Sequence, residues 1–176
     1  MKILKWIFGI VVVLAIALVA IAYLLPREVS VARSIEINAP ASDIFPHFNN
    51  LSATEAWSPW LDRDPDVKLA YNEIAEGAGA SMTWASDNPQ VGNRTQEITE
   101  SVENTRVVTA LDFGPQGTAI ATFELAEANG VTNVTWGFDT DLGMNPMARW
   151  FGLVMDDMLG PDYEKGLSNL KALVES

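Results

Sequence analysis

Residues 118–142 read TAIATFELAEANGVTNVTWGFDTDL, and the pattern in this stretch decides the fold class. Ala119, Ala121, Phe123 and Leu125 share one parity, and so do Val134, Trp136, Phe138 and Leu142. A period of two belongs to a strand with one buried and one wet face. Between the two runs stands Asn129-Gly130. That dipeptide suits a two-residue hairpin whose central residues both need positive φ. The stretch therefore predicts an antiparallel hairpin with one apolar face, as a single curved sheet requires.

The same reading extends upstream and downstream. Strands are expected over 28–38, 67–71, 80–85, 94–102 and 106–113, besides 118–125 and 132–142. Gly77 and Gly79, Asn88-Pro89, Asn104 and Gly114-Pro115-Gln116-Gly117 punctuate them. After the first strand, Ser42 or Asp43 can cap a helix carrying Ile44, Phe45, Phe48 and Leu51. After the last strand, Asn145 and Pro146 open a long helix with a cap and a proline at its first position. Met147, Trp150, Phe151, Val154, Met155 and Met158 should form its sheet-facing stripe. Gly160-Pro161 should kink or interrupt it, before Tyr163, Leu167, Leu170 and Val174 continue the pattern.

Ahead of all this lies a run without a charged residue, bounded by Trp6 and Leu25. At about 1.5 Å per residue it spans a hydrocarbon core of about 30 Å. Lys2 and Lys5 precede it, which predicts a cytoplasmic N-terminus and an exported remainder. Trp6 and Tyr23 sit where amphipathic rings favour the interface. Residues 1–26 are thus expected to be a single-pass anchor in a bacterial inner membrane, and 27–176 a periplasmic or extracellular domain. A cleaved signal peptide is the alternative, since Ala15-Ile-Ala17 and Ala20-Ile-Ala22 resemble cleavage sites. A buried core helix fits less well, because the run is apolar all round.

Composition excludes several classes of chemistry. The chain has no Cys, hence no disulfide, thiolate nucleophile or cysteine-ligated metal. Its one histidine, His47, precludes a two-histidine metal site. The net charge is −12, and all 23 acids lie at or after Glu28, which argues against nucleic acid as a partner. The same acidity predicts repulsion from anionic headgroups, so membrane contact should come from the anchor. Asp62, Asp64, Asp66 and Glu73 match four positions of a calcium loop. Val67 stands where that loop needs glycine and Pro65 stiffens it, so a solvated acidic loop is expected. No metal and no cofactor is implied.

The order β–α–α–β₆–α, ending in a long helix, is that of the helix-grip fold. The strings Val31-Ala-Arg-Ser-Ile-Glu-Ile-Asn-Ala-Pro40, Trp57-Ser-Pro-Trp60, Ile98-Thr-Glu-Ser-Val102 and Gly166-Leu-Ser-Asn-Leu-Lys171 strengthen the match. Together they resemble the SRPBCC (START-like) superfamily, polyketide cyclase/dehydrase-like branch, over about 29–175. The resemblance implies an α+β fold in which a curved antiparallel sheet wraps a long C-terminal helix, here preceded by one transmembrane helix. It also implies an apolar cavity between sheet and helix for a lipid or other hydrophobic small molecule. Fold alone carries no chemistry.

The residues expected to line that cavity are Met82, Trp84, Phe113, Phe123, Trp136, Phe138, Trp150, Met155 and Met158. Each could equally be ordinary core packing. Glu100 shares parity with Ile98 and Val102, so it is expected to point inward as the weak candidate for a catalytic carboxylate, or to pair with Arg94 or Arg106. His47 has no carboxylate beside it in sequence to orient it as a base. The leading expectation is a membrane-anchored carrier of a hydrophobic molecule without catalysis. A cyclase/dehydrase-like enzyme and a protein-interaction module are the alternatives.

Overall fold

The computed structural model describes the 176-residue chain except Met1, Asp62, Arg63, Pro65, Pro89 and Gln90, and describes Lys2 and Leu4 by their backbone alone. The acidic run's Asp62, Arg63 and Pro65, and the proline of Asn88-Pro89, thus lie outside the described residues. The chain begins with α1 (Lys2–Ala22), an apolar helix long enough to cross a membrane and almost wholly exposed. Next come β1 (Glu28–Ile37), the short helices α2 (Ala41–Ile44) and α3 (Pro46–Asn49), and a 3-10 turn over Leu51–Ala56. The strands β2 (Lys68–Tyr71), β3 (Ser81–Ala85), β4 (Arg94–Val102), β5 (Arg106–Asp112), β6 (Thr118–Ala128) and β7 (Val131–Asp141) follow. Two helices, α4 (Pro146–Gly152) and α5 (Met155–Val174), end the chain.

All seven strands form one antiparallel sheet in the order β1-β7-β6-β5-β4-β3-β2. The hairpin at its heart has the expected turn, with Asn129 at φ 55° and Gly130 at φ 79°. Its register sets Phe123 opposite Trp136 and Leu125 opposite Val134, so the apolar parities of β6 and β7 share one face. That face is the concave side of an α+β helix-grip fold, with α5 lying across it.

The final helix corrects one expectation. Gly160-Pro161 does not interrupt it; the break falls earlier, at Leu153 and Val154, and α5 runs through Pro161. Proline removes the donor that would serve the Asp157 carbonyl, but tertiary contacts bridge the defect. The Arg33 guanidinium crosses beneath Gly160 and binds Asp156 (2.9 and 3.0 Å) and Glu164 (2.9 Å), on either side of the proline. A Cβ at Gly160 would lie 2.0 Å from Arg33 Nη2, so only glycine leaves room for this clamp. Gly166 serves the same purpose further along the helix, where a Cβ would stand 2.9 Å from the Trp136 ring. These two glycines let α5 settle directly onto β1 and β7.

Candidate ligand groove

The strand registers arrange the concave face in rows. One row runs Val107–Phe123–Trp136–Arg33 and the next Ile98–Thr109–Ala121–Phe138–Val31. A third runs Met82–Gln96–Leu111–Ala119–Thr140–Val29, with Trp84, Arg94 and Phe113 beyond it. Because neighbouring strands are antiparallel, the third row lies where β1 begins and β7 ends, beside the C-terminal end of α1.

The first row is roofed with aromatic rings. Phe48 from α3 stacks on Phe123 at 4.2 Å, and Tyr163 from α5 stacks on Trp136 at 4.0 Å. Trp57 and Trp60 each meet Trp136 edge-on at 5.4 Å. The Trp57 indole donates to the His47 carbonyl at 3.4 Å, whereas the Trp136 indole N–H is buried without a partner. Burial pushes the Tyr163 phenol well above its ordinary pKa, with Asp162 and Asp139 adding to the effect. Burial also lowers the His47 imidazole below its usual value. Phe123 and Trp136, expected as cavity walls, are members of a packed stack. Phe48, Trp57, Trp60 and Tyr163 complete that stack; helical spacing had marked Phe48 and Tyr163 as apolar-face residues, and the Trp57-Ser-Pro-Trp60 string was the signal for the two tryptophans.

The third row is different. Met82, Trp84, Leu111, Phe113, Val29 and Leu142 are all half-buried, though they share the concave face. Phe138 lies deeper, 6.5 Å from Phe113, and Met155 is buried at the start of α5. The row's polar members are spoken for: Gln96 donates to the Thr109 hydroxyl at 3.2 Å. At the rim, the Arg94 guanidinium sits 5.3 Å over the Phe113 ring and donates to Gln116 at 2.6 Å. Trp84 donates to the Val91 carbonyl at 3.4 Å. The result is a half-buried apolar strip on the concave face with a cationic edge. Leu111, Val29 and Leu142 carry the apolar parity of their strands but were not among the residues expected to line the cavity.

Three expectations fail here, each for a structural reason. Glu100 does not point inward. A β-bulge between Ile98 and Glu100 inserts one residue, so Ile98 faces Thr109 while Glu100 faces Val108 on the outer side. One extra residue flips everything after it to the other face. Glu100 instead pairs with Arg106 at 2.8 Å, the alternative expected for it. Met158 is 53% exposed and borders no groove. Trp150 turns to α1, its indole donating to the Leu18 carbonyl at 3.2 Å. The break at Leu153 and Val154 is the cause: it leaves Met147, Phe151, Val154 and Met158 exposed while Arg149 and Met155 are buried. In the acidic loop, Asp64 receives the Asp66 amide at 3.1 Å and the Ser86 hydroxyl.

Comparison with known proteins agrees with this architecture. A family model described as polyketide cyclase / dehydrase and lipid transport matches residues 28–175. A solved protein of Thermobifida fusca is similar at TM-score 0.62 and 20% identity, covering 82% of this chain and 92% of its own. One from Chromobacterium violaceum gives 0.57 at 18% identity, covering 84% and 98%. DynU16, a protein in the dynemicin biosynthetic locus, gives 0.57 at 14% identity, covering 84% of this chain and 47% of its own. At such identities the likeness is one of fold. No curated protein matches the sequence.

Proposed function

Because the chain belongs to the polyketide cyclase / dehydrase and lipid transport family, we propose that it binds a hydrophobic small molecule or lipid in the groove between sheet and α5, held at a membrane by α1. Residues 27–176 form the binding domain and residues 1–26 the anchor, in a bacterial inner membrane with the N-terminus cytoplasmic. The observation that carries the reading is the contrast within one face. The aromatic stack is closed, yet Met82, Trp84, Leu111, Phe113 and Val29 stay half-open on the same apolar surface. Apolar area left wet on a concave face is where an apolar ligand gains most from burial, at about 25 cal/mol per Å². With Glu100 on the convex side, the carboxylate considered for acid–base work does not reach this groove. Binding without catalysis is therefore the favoured activity.

The test is native mass spectrometry of the full-length protein released from detergent. A retained adduct of lipid mass is expected, and Leu111→Trp, which fills the groove, should lose it while staying folded. A parent protein that carries no adduct and takes up no added lipid would sink the reading and favour an interaction module.

A further inference from the structure

The segment between β7 and α5 has a surface that the groove does not explain. Met144, Met147, Phe151, Leu153 and Val154 are between 45% and 74% exposed, five large apolar side chains within eleven residues. On α4, Met147 and Phe151 are one turn apart and so share a face. The opposite side is fully engaged. Arg149 is 7% exposed and donates to the carbonyls of Tyr23 (3.2 Å), Leu25 (3.4 Å) and Gly143 (2.9 and 3.0 Å). Its guanidinium also lies 5.5 Å over the Tyr23 ring. Trp150 holds the Leu18 carbonyl, and the Tyr23 hydroxyl donates to the Met144 carbonyl at 3.3 Å. A cation and an indole thus tie α4 to the last turn of α1 and to the linker after it, at the negative pole of the helix. Ala22 is completely buried by this joint.

From these contacts we infer that α4 is an interfacial helix, its Met144, Met147, Phe151 and Val154 side chains immersed in the outer boundary of the same bilayer that α1 crosses. The inference rests on the anchor reading above. The occupant is a lipid surface because the patch is continuous with the spanning helix: α4 is bonded to α1 and its linker at Leu18, Tyr23 and Leu25. Leu18 and Ala22 differ in height by about 6 Å, so α4 lies at the depth where interfacial helices bury their apolar face, about 5–10 Å into the headgroup boundary. Seating α4 there also fixes the groove. Gly152 packs against Leu142 and Val29, so the half-open row begins directly behind the immersed helix. Its ligand then reaches it from the bilayer without crossing water.

The chain has no native cysteine, which makes site-directed labelling direct. Full-length protein with Val12→Cys, Phe151→Cys or Glu103→Cys, each carrying a polarity-sensitive fluorophore, is reconstituted into phosphatidylcholine vesicles. Val12 reports the middle of α1 and Glu103 the turn at the far end of the sheet. Quenchers are spin labels placed shallow or deep in the lipid, and iodide in water. The expected result is Val12 quenched by the deep label, Phe151 by the shallow label and Glu103 by iodide alone. Val12 in lipid with Phe151 quenched by iodide would overturn the interfacial helix and leave the anchor standing. Val12 quenched by iodide would remove the anchor, and the inference with it.

Discussion

The two ends of the sheet carry the same kind of side chain on the same concave face, and only one end is dry. At the far end, Phe48, Trp57 and Tyr163 come down on Phe123 and Trp136, and ring distances of 4.0 to 6.0 Å leave no room between them. At the α1 end, Met82, Leu111 and Phe113 have no such roof, because the rings that supply it, from the segment before β2 and from α5, lie over the Phe123–Trp136 row. Hydrophobic patterning on a strand therefore states which face turns inward; what covers that face is decided by elements distant in sequence. The dry end gives the fold its stability, and the open end is left free to act.

Mutations should separate the two ends sharply. Trp136→Ala empties the centre of the stack and should cost about 3–5 kcal/mol, measured by chemical unfolding. Trp136→Phe should cost much less, since it also removes an indole N–H that is buried without a partner. Leu111→Ala, at the open end, deletes a side chain that folding buries only in part, and should cost about 1 kcal/mol. If Leu111→Ala proved as damaging as Trp136→Ala, the two ends would not differ and the groove would be ordinary core. The Glu100→Gln change is smaller again. It breaks an exposed pair on the convex face, so less than about 1 kcal/mol is expected, with lipid retention unaltered. Loss of the adduct in that variant would return Glu100 to the site.

The strands and their hairpins were legible because a sheet with one wet face writes its period into the sequence. Asn129-Gly130 marked its own turn, and Asn145-Pro146 its own helix start, Asn145 accepting from the Met147 and Ala148 amides at 3.0 and 3.3 Å. Alternation stopped being a guide at Thr99, where the bulge changed the phase without any proline or glycine to announce it. The stripe from Met147 to Met158 was split by the break at Leu153 and Val154, which buries Met155 and turns Met147, Phe151 and Met158 outward; nothing in its composition announced that break. Pro161 misled in the opposite sense, since the Arg33 clamp that carries α5 past it comes from a strand more than 120 positions away. The parity of their strands placed Met82, Trp84, Phe113 and Leu142 on the concave face, whereas their incomplete cover is purely tertiary and left no mark in the sequence.

The smallest effect expected concerns the hinge beside the open end. Asp141 closes β7 against Arg27, the last residue before β1, and also accepts the Gly143 amide at 2.8 Å. The Arg27 hydrogen bond, then the Gly143 amide, hold its carboxyl down to about 2 from an ordinary 3.8. A carboxyl whose pKa is depressed by folding binds its proton more readily unfolded. Its contribution is therefore complete above about pH 4 and disappears as the pH falls through about 2. Both partners are exposed, so the effect is screened by salt. Comparing melting temperature against pH for the parent and Asp141→Asn should show curves that run parallel above pH 5 and converge toward pH 2. Convergence at higher pH, or none, would mean that Arg27 and Asp141 do not hold the start of β1 to the end of β7. In that case the region would be joined to α1 and its linker through Arg149, Trp150 and the Tyr23 hydroxyl.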